Sequence, residues 1–237
     1  MAVFQFMSFE LRKRGAIRPS CPELPSQCDS QPCMNGGVCS EGWNRFICDC
    51  TATSFTGPTC GKDATTLTFN GSQHMLISVP EESRTQTEDV TLRFRTTRPL
   101  GLLLTTSTEQ SADRLELAVA GGRVRLTIRL GDKEKVLVAG QGLNDNQWHT
   151  LQFSRRGSGL KLQVDDDTPA RADTVLGKQN ILEFRTMHVG GLYHVEEEIQ
   201  MTNTVPNFVG SMQQFSFNGH PYFEMARSSG GGYGGQQ

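Results

Sequence analysis

Six cysteines lie within 33 residues, from Cys28 to Cys60, in the spacing C-x4-C-x5-C-x8-C-x-C-x9-C. A segment this short cannot bury enough apolar surface to fold by itself, since chains below about 40 residues need staples. An even set of six predicts a disulfide framework and an oxidising, extracellular setting. Zinc is the competing use of clustered cysteines, and the spacing argues against it: the segment has no C-x2-C pair and no histidine. Six cysteines permit fifteen pairings, among which spacing alone does not choose. Each bridge closing a loop of this size contributes about 2–4 kcal/mol, mostly by restricting the unfolded chain.

Outside this segment the chain changes character. Its 237 residues carry a net charge of -2, which gives no whole-chain argument for nucleic acid or an anionic membrane. No run approaches 18 apolar residues, so no segment reads as a membrane span. Near the start, Val3, Phe4, Phe6, Met7 and Phe9 precede Arg12, Lys13 and Arg14. A signal peptide has the reverse order, charge first, so a fragment of a longer protein is expected. Cys21 is a seventh, odd cysteine. It is expected either to have lost its partner with an upstream domain or to be an exposed free thiol. The chain therefore divides into an upstream remnant or linker (1–23), a disulfide-rich module (24–61), a second domain (62–227) and a flexible Gly/Ser-rich tail (228–237).

No cysteine occurs after Cys60, and the pattern there is apolar alternation with period two. Val90, Leu92 and Phe94 share one strand face, as do Leu160, Leu162 and Val164, while Asn70-Gly71, Gly121-Gly122, Gly190-Gly191 and Asn218-Gly219 mark turns. Many short strands and no long helical period predict an all-β sandwich. One hairpin can be registered. With Gly121-Gly122 as a two-residue turn, Val119 faces Val124, Leu117 faces Leu126 and Leu115 faces Ile128 on the apolar side. On the outward side Glu116 faces Thr127, Ala118 faces Arg125, and Arg114 faces Arg129 at a like-charge cost unless a carboxylate lies nearby. One step further, Asp113 falls opposite Leu130. A carboxylate in a core-facing stripe belongs at the sandwich rim, where it either caps a turn or joins the Leu130 carbonyl as an oxygen ligand for calcium.

The motifs carry two resemblances. Cys28, Cys33, Cys39, Cys48, Cys50 and Cys60, with Asn35-Gly36-Gly37 and Gly57-Pro58, resemble an EGF-like module. The family's order implies the bonds Cys28–Cys39, Cys33–Cys48 and Cys50–Cys60. From about Ala64 to Arg227 the chain resembles a laminin G-like (LNS) domain, a jelly-roll sandwich. That likeness rests on Asn70-Gly71, Ser111-Ala-Asp113, Gly122-Arg-Val124, Leu143-Asn-Asp-Asn-Gln-Trp-His149, Val164-Asp165 and Phe208-Val-Gly210. The module also carries Glu41-Gly42-Trp43-Asn44-Arg45, and the pairing of the two domains resembles the neurexin family. In that family a rim calcium takes an aspartate after Ser-Ala and a carbonyl seventeen residues on, which implies Asp113 and Leu130, with a third ligand somewhere in 175–186. One departure stands out: Ser211 follows Phe208-Val-Gly210 where many such domains have a cysteine.

Other residues also bear on chemistry. Asn70-Gly71-Ser72 is an N-glycosylation acceptor, and Cys28-Asp-Ser30-Gln-Pro-Cys33 resembles the O-glucosylation consensus at Ser30. The calcium-binding EGF pattern is absent, with Glu41 where Asp or Asn is needed, so the module reads as a spacer. The 143–149 segment reads as a turn into a strand with Trp148 packing in or against the core, and Asp165-Asp166-Asp167 as a solvated hairpin tip. Glu196-Glu197-Glu198 lacks a glycosidase pair, and no nucleophile elbow, phosphate loop or H-E-x-x-H occurs, so no catalysis is expected. The resemblance implies an extracellular adhesion module of a membrane-anchored receptor that binds extracellular proteins through the rim, with calcium as the cofactor. The alternative is a sulfated-glycan binder using Arg123, Arg125 and Arg129 on one strand face, joined by Arg155 and Arg156 if they lie near.

Overall fold

The computed structural model describes residues 26–173, 180–192 and 205–228. Cys21, Glu196-Glu197-Glu198, residues 175–179 of the 175–186 stretch and nearly all of the tail lie outside them. Within the cysteine-rich segment a 3-10 turn (Gln27–Ser30) is followed by the hairpin β1 (Val38–Gly42) and β2 (Arg45–Asp49). A smaller pair, β3 (Phe55–Thr56) and β4 (Lys62–Asp63), follows. Three disulfides close this module, Cys28–Cys39, Cys33–Cys48 and Cys50–Cys60. Of its described residues, only Thr53 and Cys60 are buried, so the covalent bridges take the place of an apolar core.

The remainder is a two-layer sandwich, as the alternation predicts. Its strands are β5 (Thr66–Asn70), β6 (Met75–Thr85), β7 (Thr87–Arg95), β8 (Leu100–Ser107), β9 (Arg114–Ala120), β10 (Arg123–Leu130) and β11 (Lys133–Ala139). They continue with β12 (His149–Arg156), β13 (Gly159–Val164), β14 (Ala170–Asp173), β15 (Leu182–Val189), β16 (Val209–Phe217) and β17 (His220–Pro221), then a short helix α1 (Tyr222–Ser228). One sheet has the order β11-β10-β9-β8-β15-β6; the other runs β14-β13-β12-β7-β16-β17, with β5 also on β16. All these neighbours are antiparallel.

The inward faces supply the core. Val90, Leu92 and Phe94 of β7 stand opposite Phe153, Leu151 and His149 of β12. Across the layers they meet Leu115, Leu117 and Val119 of β9 and Val124, Leu126 and Ile128 of β10. Phenylalanines close the ends edge-on, Phe184 against Phe217 at 5.5 Å and Phe69 against Phe208 at 6.1 Å. No cysteine is needed after Gly210 because this core is continuous. Gly210 itself is obligatory: its φ is +147° and a Cβ there would stand 2.2 Å from the Arg95 carbonyl oxygen.

Candidate functional site

The β9–β10 hairpin has the register read from the sequence, residue i facing 243 − i from Arg123↔Ala120 to Arg129↔Arg114. Asp113 lies one residue before β9, partly exposed at the sandwich rim. Its Oδ1 accepts from Gly131 N at 2.7 Å, and its Oδ2 from Glu183 N at 3.4 Å. Its own N–H donates to Ser111 Oγ at 3.2 Å. One carboxylate thus ties the start of β9, the β10–β11 turn and the start of β15, and Leu130 is the residue before its main partner. The donors available here, carboxylate and backbone carbonyl, are hard oxygens of the kind calcium takes. Among the described residues no group of three His, Cys, Asp or Glu side chains is gathered in a way that would hold a metal ion.

The arginines of β10 do not form one free stripe. Arg125 lies 3.7 Å from Glu116, and Arg114 reaches the same carboxylate at 3.7 Å. Glu116 is only 3% exposed, so this is the nearby carboxylate that relieves Arg114 facing Arg129. Arg123 and Arg129 are exposed and bend to separate turn carbonyls, Gly140 O at 2.9 Å and Gly131 O at 3.3 Å. The outward face here is less solvated than alternation implies, since Ala118, Thr127 and Thr105 are buried beside Glu116 and a small cluster of Leu102, Ala118 and Val205 covers it. Arg155 does not join these arginines. It is fully buried and forks onto Glu88, with further bonds to Thr85 O and Asn180 O at 2.9 Å each. Arg156 is exposed and paired with Asp89 at 2.7 Å, which raises its already high pKa.

The two glycosylation candidates are both exposed. Asn70 ends β5 in an Asx turn, with Oδ1 accepting from Ser72 N at 3.0 Å and Ser72 Oγ at 2.8 Å. Ser30 ends the 3-10 turn, its hydroxyl donating to Gln27 O at 3.0 Å.

The largest surprise is the joint between the module and the sandwich. Residues 50–55 lie on the outer face of the β12-β7-β16 sheet. Arg93 donates to Thr53 O and to Ser54 Oγ, and Thr150 Oγ1 to Thr51 O at 3.5 Å. Gln214 sits in a β-bulge between Gln213 and Ser216 with φ +52°, and its Nε2 reaches both Cys50 O and Phe55 O. The bulge turns out of the ladder a side chain that regular alternation would have placed inward. Between the two parts an open crevice of about 320 Å³ is lined by Asp49, Thr56, Thr91, Gln214 and Glu224 among others. The module is therefore a docked arm and not a free spacer. Trp148 belongs to the same face: it packs outside the core, under Arg93 and Arg95, whose guanidinium carbons lie 5.3 and 5.1 Å from its ring. Burial lowers the Arg93 pKa, against the pull of Asp165. His149, next to it, is held between Asp165 at 2.8 Å and Asp145 at 3.0 Å. Burial works to lower its pKa, but the bonds and charges of the two aspartates outweigh that and leave it raised.

Comparison with known proteins agrees with this architecture. The EGF-like domain family matches residues 28–59, and the Laminin G domain family matches residues 94–220. The chain is 54% identical over 222 residues to Neurexin 1 of Drosophila melanogaster, covering 91% of this chain and 12% of that protein. It is 40% identical over 230 residues to Neurexin-3a of Danio rerio, covering 92% and 13%. Neurexin-2 of Rattus norvegicus is 40% identical over 225 residues, covering 89% and 13%. The chain thus spans about an eighth of the length of the curated relatives it matches. Among solved structures, domains LG4-5 of the mouse laminin alpha1 chain superpose with a TM-score of 0.59 at 21% identity, over 66% of this chain and 42% of that one. The LG1-3 region of the laminin alpha2 chain gives the same TM-score and identity over 68% and 32%. These likenesses show the fold. The chain belongs to the laminin G domain family, an EGF-like module joined to a laminin G sandwich in the manner of the neurexins.

Proposed function

We propose that this chain is a non-catalytic recognition module of an extracellular adhesion receptor, and that it binds protein partners through the sandwich rim around Asp113. The observation that carries the reading is the position of that carboxylate at the start of β9, tied by two backbone N–H groups to the β10–β11 turn and the start of β15. A cation meeting that charge would compete with these two N–H groups and so alter the rim. The Asp113 carboxylate and the Leu130 carbonyl would hold calcium, which would supply positive charge and order to the rim loops. The neurexin likeness, the three disulfides and the exposed glycosylation sequon at Asn70 support an extracellular setting.

A calorimetric calcium titration of the chain beside Asp113→Asn tests the metal. Asparagine keeps an acceptor for Gly131 N while removing the charge, so folding and binding are separated. Heat in the parent chain that disappears in the variant supports the rim site. No heat in either removes calcium from the proposal and leaves a metal-independent rim contact.

A further inference from the structure

We propose that Asn70, wherever it carries no glycan, converts itself to aspartate and isoaspartate, and so acts as a slow one-way switch on a clamp made by Asn207. The inference is independent of the rim reading above. The sequence has three Asn-Gly pairs, at 35–36, 70–71 and 218–219, and all three asparagines are exposed. Glycine leaves the backbone nitrogen after the asparagine unshielded, free to attack the side-chain amide. The sites differ in what holds that amide. At Asn35 the Nδ2, the group that must leave, donates to Cys60 O at 2.8 Å inside the stapled module. At Asn218 the Nδ2 reaches Thr87 O at 3.5 Å, and both Oδ1 and the backbone N–H are bound to Asp89 at 2.8 Å. Both residues stand in left-handed turns, with φ +52° and +49°. Asn70 is held by its oxygen alone: Oδ1 takes Ser72 N at 3.0 Å and Ser72 Oγ at 2.8 Å, while Nδ2 has no partner among the described residues.

Two donors on Oδ1 draw electron density from Cγ and meet the negative charge that develops on the oxygen during attack. Asn70 with Val209 is the last rung of the β5–β16 ladder, so the local opening that brings Gly71 N onto Cγ disturbs little else. Gly71 N gives its proton to solvent hydroxide and bonds to Cγ. The Cγ–Nδ2 bond breaks, and ammonia leaves with a proton from water. Water then opens the cyclic imide at one or the other carbonyl, giving aspartate or isoaspartate; nothing is oxidised or reduced. A glycan on Nδ2 removes ammonia as the leaving group, so glycosylation and self-conversion compete for one atom. The consequence lies next door. Gly71 O accepts from Asn207 Nδ2 at 3.0 Å, and the same amide takes Leu192 N at 2.9 Å and gives to Leu192 O at 3.1 Å. Isoaspartate routes the chain through the side-chain carbon and adds a backbone atom before Gly71. The displaced carbonyl withdraws from the clamp that joins residues 71, 192 and 207.

The test is ageing of the folded, disulfide-bonded chain, made without N-glycosylation, in mildly alkaline buffer, followed by proteolysis and peptide mass measurement. Acid is expected to accumulate first at Asn70, ahead of Asn35 and Asn218. Ser72→Ala keeps the backbone donor and removes the hydroxyl, and is expected to slow the conversion about fivefold, the contribution of one hydrogen bond. Ser72→Thr, which retains a hydroxyl, is expected to restore the rate. In the isoaspartate form, separated by chromatography, the Leu192 amide is expected to exchange faster than in the parent. Asn35 or Asn218 reacting first, or a rate unchanged in Ser72→Ala, overturns the assignment of Asn70 as the activated site. Unchanged exchange at Leu192 overturns the switch.

Discussion

Arg155 and Glu88 face each other at the end of the inward stripe that carries Leu151, Phe153, Val90 and Leu92. Both are fully buried. A buried pair of this kind is a weak net stabiliser against apolar replacements, but removing one partner strands a charge at a cost of about 3–5 kcal/mol. Arg155→Met should lower urea-unfolding stability by that amount, and Glu88→Met added to it should recover most of the loss. A double variant no more stable than the single would overturn this account. The pair was legible by parity, since counting by twos from Phe153 places Arg155 inward; composition misleads because two adjacent arginines look like surface charge. Glu41 carried no such signal. Its role is to hold three donors from residues 26–28, and the Ser26 hydrogen bond first, then Cys28 N, keep its pKa below the ordinary value. A carboxylate depressed on folding contributes stability above its unfolded pKa that is lost as pH falls through the folded one. Protection of the Gln27 and Cys28 amides, taken relative to their intrinsic exchange rates at each pH, should therefore fall on acidification to below about pH 4.3, and should be weak at all pH values in Glu41→Ala.

At the level of elements, the β9–β10 hairpin was readable to the residue because a Gly-Gly turn and three apolar pairs fix one register, and a slip would expose all of them. The bulge in β16 was not readable, since Gln213-Gln214 carries no glycine and positive φ at Gln214 is sustained only by what its side chain meets. The segment before β12 was half read. It is a turn into a strand, yet alternation points Trp148 outward and His149 inward, where two aspartates clamp it. Since His149 has a raised folded pKa, its contribution is complete below the unfolded value of about 6.5 and is lost as pH rises through the folded one. Melting temperature should fall across that window in the parent chain. In His149→Gln the slope should flatten; an unchanged slope would assign the titration elsewhere.

Across the whole molecule, each half was legible from its own pattern, disulfide arithmetic for the module and period two for the sandwich. Their joint was not, because it is made by backbone carbonyls of residues 50–55, which any sequence could supply, meeting two long polar side chains. Arg93 and Gln214 are the hinge pins. Gln214→Gly keeps the positive φ that the bulge requires and removes both donors. Two hydrogen bonds of about 1 kcal/mol each separate a docked from a loosened module, so amides of residues 50–56 should exchange roughly 5- to 30-fold faster. Amides of β12 in the sandwich core should not change. Faster exchange confined to the module would make the joint a local equilibrium, in which the angle between the EGF-like arm and the sandwich is set by a few polar contacts. Unchanged exchange would mean that Arg93, Thr150 and the covalent link at Ala64 suffice to hold the arm, and that Gln214 only fills the bulge.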